Sequence, residues 1–235
     1  MRTPQIILAL DVDSRREALR FVRRLYPQIK IFKVGLQLYT ACGPKIIQDI
    51  RDAGAEVFLD LKFNDIPNTM AAAVKEAVKH KVAMLTVHTL SGPTALQEVS
   101  RAALRSRTKI LGVTILTSIC PHFLKDLKVQ RSLCAEVLYL AKLAQRCGLD
   151  GVVCSVREAA LLRKALPKQF MIITPGIRPD GPCGDDQKRV AMVKEAMRAG
   201  SDFLVIGRPI LKARNPQAAA QGILDSVRQH GAKPL

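Results

Sequence analysis

A single-domain (β/α)8 barrel is the fold class that the sequence predicts, and three observations carry the prediction. Eight short, β-branched apolar runs recur along the chain, a helical stretch follows each of them, and the 235 residues suit one barrel of about 250. The runs begin roughly 20 to 40 residues apart, which leaves room for one helix and two loops in each repeat of a parallel sheet.

The elements follow in order. Gln5 to Asp11 is the first strand and Arg15 to Leu25 its helix; Lys30 to Gly35 is followed by Gly43 to Ala53, and Ala55 to Lys62 by Thr69 to Lys79. Val82 to His88 precedes Pro93 to Arg105, and Lys109 to Leu116 precedes Leu133 to Arg146. The last three units are Asp150 to Ser155 with Val156 to Ala165, Phe170 to Pro175 with Arg189 to Ala199, and Asp202 to Gly207 with Pro216 to His230. Gly54, Gly148 and Gly200 each close a helical run and precede a strand, the place of a left-handed C-terminal cap. A doubly wound sheet is the alternative, but Asp11-Val12-Asp13-Ser14 lacks the glycines of its phosphate-binding turn. No linker or composition shift divides the chain, so residues 1–235 are read as one domain.

Composition narrows the function classes. Hydrophobic residues make up 48% and charged residues 24%, which excludes a disordered chain. The apolar run Ile6 to Leu10 stops at Asp11, far short of the roughly 20 residues of a spanning helix or the 7 to 15 of a secretion signal, so no membrane association is expected. Six cysteines form no C-x-x-C pair, which points away from zinc and disulfides and toward a reducing, cytoplasmic setting. The net charge of +17 invites a polyanion partner, yet there are only seven Phe, three Tyr and no Trp on which bases could stack. The densest basic stretch, Arg15, Arg16, Arg20, Arg23 and Arg24, has the spacing of a solvated helix face, so no specific nucleic acid is expected.

Chemistry in such a barrel gathers at the C-terminal strand ends, and these are polar here. Asp60 and Lys62 stand two apart on the third strand and so share the face opposite Val57, Leu59 and Leu61. With Lys33 from the second strand and Asp65 three residues on, they compose an alternating array of two lysines and two aspartates; the same spacing also fits a salt-bridge cluster that only fixes register. Flanking carboxylates favour a protonated Lys62, suited to give a proton rather than to attack as a free amine. Arg178 after strand seven and Gly207-Arg208 after strand eight occupy the positions where barrels bind phosphate, with the Gly-rich Asp180 to Asp186 segment between them a candidate lid. His88 has no metal-ligating partner at useful spacing and reads as support.

These motifs resemble one family over nearly the whole chain. Asp60-Leu61-Lys62-Phe63-Asn64-Asp65-Ile66-Pro67-Asn68-Thr69 is similar to the D-x-K-x-x-D-I-P-N-T signature of the orotidine 5′-phosphate decarboxylases. Leu8 to Asp11, Phe32 to Gly35, Leu116 to Ser118, Thr174 to Pro179, Asp186 to Arg189 and Gly207 to Ile210 match in order. Metal-dependent relatives acting on sugar phosphates share D-x-K-x-x-D but carry a glutamate where this chain has Lys33, a residue that repels a divalent ion. They remain the alternative, beside a polyanion-binding barrel. Asn64 departs from a commoner His, and Met192-Val193 from a commoner Thr-Pro.

The resemblance implies decarboxylation of orotidine 5′-monophosphate (OMP) to UMP without metal or cofactor. Lys62 would be the proton donor to a C6 carbanion, Asp60 and Lys33 would orient it, and Asp65 would come from the partner of a homodimer. Asp11, Lys33, Thr69, Thr117, Ser118, Arg178, Gln187, Gly207 and Arg208 would bind substrate, the last four at or around its phosphate.

Overall fold

Eight parallel strands close on themselves in sequence order in the computed structural model, which describes residues 3–178 and 190–231. The strands are β1 (Gln5–Ala9), β2 (Ile31–Gly35), β3 (Glu56–Phe63), β4 (Met84–His88), β5 (Lys109–Val113), β6 (Gly151–Val153), β7 (Met171–Thr174) and β8 (Phe203–Ile206). The helices are α1 (Arg15–Leu25), α2 (Leu36–Cys42), α3 (Lys45–Asp52), α4 (Pro67–Lys79), α5 (Gly92–Ala103), α6 (Pro121–Asp126), α7 (Leu133–Arg146), α8 (Val156–Ala165), α9 (Val193–Arg198), α10 (Arg208–Leu211) and α11 (Pro216–Gly231).

The strand runs are apolar on both faces because both are buried. Ile7, Ile31, Phe58, Met84, Leu111, Ile173 and Val205 meet inside the barrel, while Leu8, Phe32, Val57, Leu59, Leu85, Ile110, Val152, Ile172 and Leu204 pack outward under the helices. The two-residue period therefore decides what lies at the mouth: one step beyond Ile31 and Phe58, on the inward face, come Lys33 and Asp60.

The helices cover the outer core by ordinary amphipathic rules. In α1, Ser14 caps the first turn by accepting the Glu17 N–H at 3.3 Å, and Ala18, Leu19, Phe21, Val22 and Leu25 are buried. Truncating Phe21 to Ala would cost about 3–5 kcal/mol. The arginine face expected here is present: Arg16, Arg20, Arg23 and Arg24 are exposed, with Arg24 donating to Gln217 and Asn215.

Gly54, Gly148 and Gly200 adopt φ of 88°, 83° and 82°, as their predicted capping role requires. Three differences from the sequence expectation have physical reasons. The predicted helix Gly43 to Ala53 is preceded by a separate helix, α2, because Gly43 turns the chain at φ 61° between them. The short helices α6 and α10 were not predicted; six and four residues are too few to show a period. The predicted helix Arg189 to Ala199 begins only at Val193, because Ala191 bridges Ile177 in β fashion and Glu195 accepts the Met192 N–H at 2.7 Å; Arg189 lies outside the described residues.

Candidate active site

The inward positions at the C-terminal strand ends surround a cavity of about 230 Å³. One arc is charged. The Lys33 ammonium lies 3.2 Å from Asp11 Oδ1 and 3.6 Å from Asp60 Oδ2, and the Lys62 ammonium lies 3.0 Å from Asp60 Oδ1. Asp60 thus stands between two lysines, and Asp11 extends the alternation to four groups from three adjacent strand ends. Gly35 leaves room for this array, since a Cβ there would approach Lys33 Nζ to 2.9 Å.

Burial on its own pushes the Asp60 carboxyl up, but the Lys33 and Lys62 charges, helped by hydrogen bonds from Lys62 and Thr86, outweigh it and hold the group below its usual range. Asp60 is therefore an anion at neutral pH. His88, half-buried at the end of β4, is held below the usual histidine value, first by burial and then by the Lys62 ammonium. Its Nδ1 accepts the Leu90 N–H at 3.4 Å. It is off the cavity wall.

The opposite arc is apolar, built from Val113, Ile115, Val153 and Cys154, with Leu116 and Thr117 beside them. Between the two arcs, after β7 and β8, Gly176, Arg178, Gly207 and Arg208 complete the wall. Arg178 is buried and donates to the carbonyl of Ile177, while Arg208 opens α10 directly after Gly207.

The cavity wall therefore brings together Asp11, Lys33, Asp60, Lys62, Thr117, Arg178, Gly207 and Arg208. Gln187 lies outside the described residues, as does the Asp180 to Asp186 segment. Ser118 and Thr69 are exposed and off the wall. Asp65 does not complete the array within its own chain: it is exposed, and its carboxylate accepts the neighbouring Ile66 N–H at 2.6 Å.

The strand geometry behind Asp60 and Lys62 also differs from simple alternation. Between Leu59 and Phe63 β3 has three residues, whereas β4 has only Thr86 between Leu85 and Val87, and Lys62 adopts φ 51°. The two side chains still meet, but through a bulge and not through a regular pleat. Sequence reasoning missed Thr86 and Cys154. Thr86 had a signal: it stands two residues before His88, and these two polar residues of β4 share the inward parity of Met84.

Residues 4–223 match the model of the orotidine 5′-phosphate decarboxylase / HUMPS family. The chain belongs to this family. An orotidine 5′-phosphate decarboxylase of Syntrophotalea carbinolica is 46% identical over 230 residues, 95% of this chain and 94% of the relative. One from Pseudoalteromonas translucida is 44% identical, covering 96% of this chain and 98% of the relative. Among solved structures, the orotidine 5′-phosphate decarboxylase of Lactobacillus acidophilus superposes with a TM-score of 0.85 at 33% identity, over 95% of this chain and 99% of that one. Among the described residues of this family member no three His, Cys, Asp or Glu side chains are grouped to hold a metal, and the Asp60 carboxylate already faces two ammonium ions.

Proposed function

We propose that this chain decarboxylates orotidine 5′-monophosphate to UMP and CO2, with no metal or organic cofactor. The observation that carries the reading is the pair of lysine ammonium groups around buried Asp60 on one side of a cavity whose wall after β7 and β8 holds two arginines.

The pyrimidine carboxylate sits beside Lys62. The C6–carboxylate bond breaks, CO2 departs, and the electron pair stays on C6, where there is no easy delocalisation. The Lys62 ammonium stabilises that pair as it forms and then gives its proton, making the C6–H bond; solvent reprotonates the amine. Asp60 and Lys33 keep the ammonium in place, and Asp11 and Lys33 take the ribose hydroxyls. Arg178, Arg208, the backbone at Gly207 and Gln187 receive the phosphate, which does not react and whose binding energy serves to organise the array. Thr117, on the cavity wall, faces the pyrimidine, with Ser118 next to it in the chain.

A homodimer completes the site. Leu36, Ile66, Leu90, Phe123 and Leu127 are exposed apolar residues on the loops and helices that follow β2, β3, β4 and β5, neighbouring strands at the mouth. A second copy covering this rim would hide them and carry Asp65 and Thr69, from the segment after β3, toward the partner's cavity. Each chain acts as one barrel domain. No helix among the described residues is long and apolar enough to cross a membrane, and Cys42, Cys134 and Cys147 are free thiols, which suits the cytoplasm.

The test is ultraviolet absorbance on mixing OMP with EDTA-treated protein. Turnover that ignores the chelator is expected; turnover only of a sugar phosphate, and only with magnesium, would overturn the reading. The dimer is tested by mixing Lys62→Ala with Asp65→Ala protein. Random exchange should restore activity at about a quarter of the sites, whereas no recovery would return Asp65 to its own chain.

A further inference from the structure

Lys62 is tied to Asp60 twice, and the second tie runs through a residue outside the cavity. Its ammonium donates to Asp60 Oδ1 at 3.0 Å. Its backbone N–H donates to Thr86 Oγ1 at 2.9 Å, and the Thr86 hydroxyl lies 2.9 Å from the same Asp60 Oδ1. An amide N–H only donates and a carboxylate only accepts, so the direction of this chain is settled: Lys62 N–H to Thr86, Thr86 O–H to Asp60. The result is a closed ring in which both ends of Lys62 are referred to one carboxylate.

The ring sits where the backbone needs it. Lys62 has φ 51°, uncommon for a residue with a long side chain, at the bulge where Asp60, Leu61 and Lys62 all lie across from Thr86. Thr86 is fully buried and is no part of the cavity wall, so it does not reach a bound substrate. A buried hydroxyl in the barrel interior satisfies its donor and acceptor with these two partners.

We infer that Thr86 is a positioning residue: its hydroxyl holds the β3 bulge and thereby sets where the Lys62 ammonium stands against the reacting carbon. The inference rests on the decarboxylase reading given above. Valine at this place keeps the branched shape and removes the hydroxyl, leaving the Lys62 N–H without its acceptor; serine keeps the hydroxyl and drops a methyl group.

The experiment measures kcat and KM for OMP in the wild type, Thr86→Val and Thr86→Ser, with the crystal structure of Thr86→Val. A displacement of about 1 Å in a proton donor is worth about 100-fold, so Thr86→Val should lose about that much in kcat. KM should stay within about threefold, because the ribose and phosphate groups are held elsewhere, and Thr86→Ser should recover kcat to within about fivefold of wild type. The Thr86→Val structure should show Lys62 leaving its left-handed backbone with the barrel otherwise unchanged. Should Thr86→Val not fold, Thr86→Ala removes the same hydroxyl and carries the same comparison. Wild-type kcat in the valine variant, or an equal loss in the serine variant, would overturn the inference. A wild type that does not turn OMP over would defeat the decarboxylase reading instead; the clamp is then judged on the Thr86→Val structure, and Lys62 keeping its φ and its contact with Asp60 would defeat it.

Discussion

Two aspartates in this molecule each sit between two cations, and the contrast between them sets a structural ion cluster against the one proposed to act in catalysis. Asp49, on α3, is buried at 6% exposure and is held by Arg15 and by Lys45, whose side chains are 53% and 64% exposed. Asp60, on β3, is nearly as buried at 13%, but its partners Lys33 and Lys62 are only 12% and 31% exposed and both line the cavity. Around Asp49 the cations relax into water, so the pair fastens α1 to α3 at modest cost. Around Asp60 the ammonium ions are drawn out of water toward an enclosed space, an arrangement that stability alone does not reward. Charge pattern by itself does not tell the two apart; the placement of the cations does.

The comparison can be broken from its strongest side first. Lys62→Ala should reduce kcat by about 10⁴-fold or more while the circular dichroism spectrum stays that of wild type, since the variant loses the proposed proton donor and one charge of the array. Decarboxylation near the wild-type rate would remove Lys62 from the mechanism. Arg208→Ala should lower kcat/KM by about 3 kcal/mol, read from steady-state kinetics; a loss below about 1 kcal/mol would take the phosphate away from this end of the cavity.

The smallest effect on turnover is expected at Asp49→Asn, with kcat within about twofold of wild type. Its effect is on stability. The Arg15 hydrogen bond, opposed by burial and helped by Lys45, holds the Asp49 carboxyl well below the usual carboxylate range. A carboxyl depressed in the folded state stabilises above its unfolded value and loses that contribution as pH falls through its folded value. Thermal melts should therefore show Asp49→Asn below wild type at pH 7, with the gap closing steadily in acid below about pH 4. A gap that is constant with pH would mean that packing, not charge, is what the substitution disturbs.

Much of the architecture was legible because it depends on local patterns. The β-branched runs fill two buried faces, and α1, α7 and α8 have the boundaries that their apolar spacing predicts. The array was legible for the same reason, as Lys33 and Asp60 follow Ile31 and Phe58 at even spacing. What stayed hidden depends on pairing between distant segments. The bulge at Lys62 exists only relative to β4, so no pattern within β3 announces it, and the parity argument reached the right pair through the wrong backbone. Asp65 shows the limit from the other side: its spacing suggested an array within one chain, whereas in the fold the segment after β3 turns it outward onto its own backbone. The apolar wall of Val113, Val153 and Cys154 reads in sequence as ordinary strand core, and only closure of the barrel makes it the side of a site.

The claim that the mouth array works and the α1–α3 cluster does not is tested most directly by kcat at saturating OMP for Asp60→Asn and Asp49→Asn in one assay. Removing the carboxylate that orders two ammonium ions should reduce kcat by about 10²-fold or more in Asp60→Asn and leave Asp49→Asn within about twofold of wild type. Equal losses in the two variants, or an Asp60→Asn protein that turns over like wild type, would contradict the account.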